Sequence, residues 1–378
     1  MTMDKNIQTI ITDEHIEKLI SETSSPTFLM RMEEFVSFME QPIGDRKLID
    51  ILNDILAYPI NNSILDDSEI LTLTKAKKLV QSFYATFNEE VGARVKDILS
   101  NNDPEVKLAI TENSESTSTG NVNHSGMDTY ITLNCTYNNT LYGSIVLAHE
   151  TGHALSNNLT ILAKLTQKMI ATSSPSTYNS YLKNRKKFSA LKPLTRDAVG
   201  EIESHIFEDL YCDFLREHDI ISEEYLENFK NTRAMSLYNN ILTLIEDYTY
   251  IKNLDFPIDK DKITKKISSS GIPLGHIQDF TKRFNKHGFM FQHRIRYVIG
   301  EIIATDWMNK YNSAPTQRTK SQMKHRLVEY LDKCYSHDIE SACSQLLKKE
   351  FSTVVQDFTK AHEYTDSLKE DYNEQNLL

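Results

Sequence analysis

"GSIVLAHETGHALSNNLT", Gly143 to Thr160, places two histidines four residues apart, with a glutamate directly after the first. On a helix, residues four apart lie on one face, so His149 and His153 can aim ring nitrogens at a common point. Glu150 sits about 100° further round, beside that point rather than on it. The flanks "SIVLA" and "AL" are apolar, so the segment predicts a buried helix. Two imidazoles and a carboxylate are costly in such surroundings unless something offsets them. A metal ion is the partner that histidines at this spacing suit. Gly152 weakens the helix and would let another backbone come close to the site.

Working outward, the composition sets the class. The chain has 378 residues, 39% hydrophobic and 25% charged, the balance of a globular protein with a real core. A net charge of -11 with scattered basic residues offers no footprint for a phosphate backbone, so nucleic acid is not an expected partner. Cys135, Cys212, Cys334 and Cys343 lie far apart with no CxxC pair, which reads as reduced thiols rather than a disulfide framework or a cysteine zinc site. "MTMDKNIQTIITDEHIEKLI" lacks a basic segment followed by an apolar run. No later window reaches the roughly 20 apolar residues of a membrane span. These features predict a cytoplasmic protein with no membrane partner.

Helical periodicity dominates the chain. It predicts helices over 13–23, 27–40, 45–57, from about Asp67 through "VKDILS", and then over 139–158, 160–172, 176–188, 195–217, 222–252, 275–311 and 316–333. The period changes only in "VKLAITE" (106–112) and "DTYITLNC" (128–135), which read as two strands just ahead of the histidines. The Ser/Thr/Asn-rich run 113–125 between them reads as a solvated connection.

Two histidines do not complete a catalytic zinc site, which needs a third protein ligand and an open position for water. "DAVGEIESHIFEDLYCDF" is the best source, because its apolar residues mark a helix with substantial burial. Glu201 and Glu208, seven residues apart, share a face of that helix, whereas Glu203 points elsewhere. With zinc as Lewis acid, Glu150 would take a proton from a metal-bound water and deliver it to a leaving group.

These residues resemble a known family. "HSGMDTYITLNCTYNNTLYGSIVLAHETGHALS" is similar to the oligoendopeptidase F branch of the thimet oligopeptidase family of zinc metallopeptidases, in which a strand carrying a Leu-Asn pair precedes a "LAHExGHA" helix. Leu133, Asn134, Leu147 to Glu150 and Gly152 to Ala154 match directly. "EIESHIFE", Glu201 to Glu208, fits the family motif E-x-(P/A)-S-x-x-x-E. The resemblance implies that Glu201 is the third zinc ligand and that Glu208 orients a histidine ligand. "HGFMFQHRIRYVIGEIIATDWM" resembles a C-terminal block whose Tyr-x-x-Gly step stabilises the tetrahedral intermediate. Tyr297 and Gly300 align with it, the resemblance implies His287 as the counterpart of the family histidine, and His293 stands where a tyrosine is usual.

The resemblance covers about residues 78 to 360 and implies a shortened member, since fewer than 150 residues precede His149. About twenty more residues than the family spacing separate His153 from Glu201, so "LTQKMIATSSPSTYNSYLKNRKKFSALKPL" reads as an inserted helical arm. Glu203 stands where the family has a small residue. The expected fold is mainly α, a helical zincin catalytic domain with a small β-sheet beside the HExxH helix. The expected organisation is an N-terminal helical segment over 1–75, a catalytic domain over 76–365 and a tail over 366–378. The implied activity is a metalloendopeptidase with one zinc ion, held by His149, His153 and Glu201 and acting on short unstructured peptides. Two alternatives use the same residues, a peptide-binding protein with weak turnover and a zinc hydrolase of a non-peptide amide.

Overall fold

Apolar residues at every second position of "ITLNCTY", followed by three and four spacing after Thr140, build a strand that runs straight into a buried helix. The structure, a computed structural model, describes residues 26–57, 65, 69–114, 117–124, 131–156, 198–253, 290–331 and 338–361. The chain divides into two units, residues 1–57 with 238–295, and residues 58–237 with 296–378. The predicted helices 13–23, 160–172 and 176–188, the inserted arm (165–194) and the start of 275–311 lie outside the described residues, as does Cys334.

In the first unit, α1 (Pro26–Met39) leads into a hairpin of β1 (Pro42–Ile43) and β2 (Arg46–Lys47), then α2 (Leu48–Ala57). Phe35, Phe38 and Met39 are buried together with Leu48, Ile51, Leu52 and Ile55. Glu40 accepts hydrogen bonds from the Tyr248 hydroxyl and from Lys252 Nζ, each at 2.7 Å, on the far part of a long helix (Glu223–Asn253).

The second unit carries the histidines. It opens with α3 (Leu73–Ala85) and α4 (Glu89–Leu99). The single long helix expected here is broken at Thr86, because Asn88 adopts an extended conformation and its side chain accepts from Val91 N at 2.8 Å, capping a new helix. A three-stranded sheet follows, of β3 (Val106–Glu112), β4 (Thr119–His124) and β5 (Ile131–Tyr137), in the order β3-β5-β4. β3 runs parallel to β5 and β4 antiparallel to it. β4 corrects the reading of 113–125 as a solvated connection.

From β5 the chain turns through Asn139, in the left-handed region at φ 60°, to Thr140, whose hydroxyl accepts from Gly143 N at 3.1 Å. That cap starts α5 (Leu141–Leu155), which is buried on nearly every side. Ile131, Leu133, Cys135 and Tyr137 form the buried face of β5. Two long-range bonds tie the framework together: the Tyr84 hydroxyl donates to Ala148 O at 2.8 Å and the Tyr137 hydroxyl to Leu71 O at 2.6 Å.

The remaining helices are α6 (Ile202–Glu217), α7 (Glu223–Asn253), α8 (Met290–Asn312), α9 (Gln317–Leu331), α10 (Ile339–Leu347) and a last helix over 351–361. The final two were not expected from the sequence. Asp338 caps α10 by accepting from Ser341 N at 2.8 Å, and Cys343, Leu346, Val354 and Phe358 are buried. α6 starts later than its periodicity suggests, because residues 198–201 form a turn. Cys135, Cys212 and Cys343 are free and buried. Among the described residues, no helix is long and apolar enough to cross a membrane. The fold is mainly helical, with its small sheet beside the helix that carries the two histidines.

Candidate metal centre

His149 and His153 project from one face of α5, and Glu201 reaches them from the turn that leads into α6. Glu201 Oε2 lies 3.3 Å from His149 Nε2 and 3.1 Å from His153 Nε2, and the two Nε2 atoms are 3.1 Å apart. A tetrahedral zinc with bonds of about 2.0–2.1 Å separates its ligand atoms by about 3.3–3.4 Å. The three donors therefore stand near the spacing such an ion needs, and their chemistry, two imidazoles and a carboxylate, suits it. The groups also act on each other's charge. Burial pulls the His149 imidazolium down, but the Glu208 charge and bonds to Glu201 and Glu208 outweigh it and bring its pKa to about 9. Burial pushes Glu201 up, and the two imidazoles reverse this, holding it well below the usual carboxylate range.

Behind the donors lies a layer of carboxylates. Glu208 Oε1 accepts from His149 Nδ1 at 2.9 Å, fixing which nitrogen faces the centre. Glu203 does not point elsewhere, as helical spacing suggested. Its Oε1 lies 3.4 Å from His153 Nδ1, and the side chain is buried. The reason is local: Glu201 has φ -119° and ψ 1°, outside the helix, so rotation about the axis of α6 does not fix its direction relative to Glu203.

Arg233 of α7 gathers a second layer. It binds Asp209 Oδ1 at 2.6 Å and Glu301, approaches Glu208 Oε2 at 3.5 Å and reaches His205 Nδ1 at 3.1 Å. One guanidinium among three carboxylates leaves negative charge in excess. Burial first, then the charges of Glu301 and Glu208 against the pull of Arg233, raise Asp209 to about 7.

Glu150 is buried, and its Oε2 has no hydrogen-bond partner. Burial raises its pKa, against the pull of the two imidazoles. Its other contact is β4: a Cβ added at Gly120 would stand 2.2 Å from Glu150 Cγ and 2.7 Å from Oε1. Only glycine on that strand leaves Glu150 its place. At Gly152, by contrast, what comes close is not backbone as expected but the ring of Phe207, 2.6 Å from a Cβ added there.

α8 closes another side through Gly300, where an added Cβ would meet Glu201 Cβ at 2.9 Å. Tyr297, one turn earlier, packs edge-on against His205, whose ring in turn meets His149, with centroids 5.8 and 5.9 Å apart. Burial first, then the charges of Glu201, Glu150 and Glu208, push the Tyr297 phenol up, with Arg296 opposing. Arg296 Nε is 3.1 Å from Glu201 Oε1. His287 lies outside the described residues, and His293 lies on the backbone of α8 with its side chain outside them.

His149, Glu150, His153, Glu201, Glu208 and Tyr297 are thus brought to one region. Sequence reasoning did not find Gly120, His205, Arg233 or Arg296. His205 and Glu208, three apart on α6, carried a helical signal that was there to use. Arg233 and Gly120 carried none, because their contacts join segments distant in the chain.

No protein-family model matches this sequence, and no curated protein does. Among solved structures, the chain is similar to one described as "a putative oligoendopeptidase F" from Bacillus anthracis str. Ames, with a TM-score of 0.52 and 12% identity over 93% of this chain. The likeness takes in 62% of that structure's chain, so this chain spans about three fifths of its length. A second structure, described as a "putative peptidase" from Chlamydophila abortus, superposes with a TM-score of 0.45 and 14% identity, over 92% of this chain and 56% of that one. At such identity the likeness to the first is one of fold.

Proposed function

We propose that this protein is a zinc-dependent metalloendopeptidase that hydrolyses peptide bonds in short, unstructured peptides. The observation that carries the reading is the meeting of His149 Nε2, His153 Nε2 and Glu201 Oε2 at 3.1–3.3 Å, with a buried, unpartnered carboxylate oxygen on Glu150, the residue after the first ligand. His149, His153 and Glu201 hold one zinc ion, which when bound supplies the Lewis acid that polarises the scissile carbonyl and acidifies the attacking water. Glu150 takes the proton of that water and passes it to the leaving amine. Its buried setting raises its basicity. Glu208 keeps Nδ1 of His149 occupied so that Nε2 faces the ion. Tyr297 keeps its proton under these conditions and donates to the oxygen that becomes negative as water adds. His287 or His293 is the further donor that the sequence offers to assist Tyr297, and a cytoplasmic setting supplies the peptides.

The likeness in fold to a structure described as an oligoendopeptidase supports a peptide substrate over another amide. Digestion of a mixed peptide library with mass-spectrometric readout tests the reading. Cleavage is expected with the zinc-loaded protein, lost with a chelator and regained on adding zinc. No cleavage of any peptide by a chain that holds zinc favours a binding protein instead.

A further inference from the structure

Glu203 is a carboxylate only 1% exposed, and its Oε2 has no hydrogen-bond partner. A carboxylate in such a place is costly to keep unless a polar partner or an opposite charge offsets its burial. The described cations of the site are committed elsewhere, Arg233 to Asp209 and Glu301 and Arg296 to Glu201. What Glu203 does meet is His153, whose Nδ1 lies 3.4 Å from its Oε1.

We infer that Glu203 is a positioning residue for the metal, bracing His153 from behind as Glu208 braces His149. The inference rests on the proposed zinc site and goes beyond it, because it assigns a role to a buried carboxylate that is not itself among the three donors. The 3.4 Å contact is longer than the 2.9 Å one made by Glu208, which places its effect at the lower end of what outer carboxylates contribute.

The test uses the full chain and zinc alone, with the dissociation constant read by competition with a chromophoric chelator. Glu203→Gln keeps the shape and removes the charge, and Glu203→Ala removes the contact. Zinc binding is expected to weaken about tenfold in each. Far-ultraviolet circular dichroism confirms that each variant is folded, and thermal unfolding of the metal-free forms separates the roles. A merely structural Glu203 would lower that midpoint and leave the dissociation constant alone. If either folded variant binds zinc within about twofold of the wild type, the bracing role is overturned. If the wild-type chain itself binds no zinc, the proposed function falls first and this inference with it.

Discussion

Tyr297 has the chemistry of an oxyanion donor, a phenol that burial keeps protonated close to Glu150 and Glu201. Tyr297→Phe removes the hydroxyl and little volume, so kcat should fall about 100- to 1,000-fold with KM nearly unchanged, as steady-state kinetics would show. A fall in affinity alone would make it a packing residue. Asp209 gives a pH prediction. Its carboxyl is raised from 3.8 to about 7, so the folded chain keeps a proton there that the unfolded chain releases. Folding stability therefore drops as pH rises from 3.8 toward 7 and levels off above it. Asp209→Asn should flatten that part of the profile in urea unfolding, and an unchanged slope would remove Asp209 as its source. The histidine pair and Glu201 were legible because helical spacing and a motif locate them without tertiary knowledge. Glu203 was misread because that logic assumed Glu201 to be inside the helix, where it is not.

The strand β4 and the break before α4 are the elements that sequence patterns hid. "TGNVNH" has a single apolar residue and no alternation to announce a strand, yet its pairing with β5 places Gly120 against Glu150. Gly120→Ala should displace the Glu150 carboxylate by the fraction of an ångström to an ångström that catalysis does not tolerate, lowering kcat by about 100-fold. Zinc content should stay the same, because the ligands are untouched. Loss of metal in that variant would show a wider collapse of the sheet. The break between α3 and α4 depends on the Asn88 cap. Asn88→Ala should cost about 1 kcal/mol in urea unfolding with activity unchanged. Helices α5 to α9 were readable because each is a long run, of 15 to 31 residues, with apolar residues recurring at three and four spacing. α10 and the helix over 351–361 are short, and their apolar residues recur at three and four spacing over only about three turns, with Asp338 capping α10.

For the whole molecule, the mainly helical class was legible in the sequence and is shared with a solved structure at 12% identity. No family model matches the sequence. Helical packing tolerates wide substitution of apolar residues, whereas a metal site fixes both residue type and spacing. Zinc that binds only the folded chain should stabilise it by mass action, by about 2.7 kcal/mol at a free concentration 100 times the dissociation constant. Thermal unfolding with and without chelator reads this, and identical midpoints would mean that the three donors hold no ion.

The most direct test of the central claim is a paired measurement on purified wild type and Glu150→Gln: bound zinc, and turnover of one peptide that the wild type cleaves. The account predicts one zinc per chain in both proteins and a rate lowered about 100- to 10,000-fold in the variant. Equal rates in the two proteins, with zinc present in both, would contradict it.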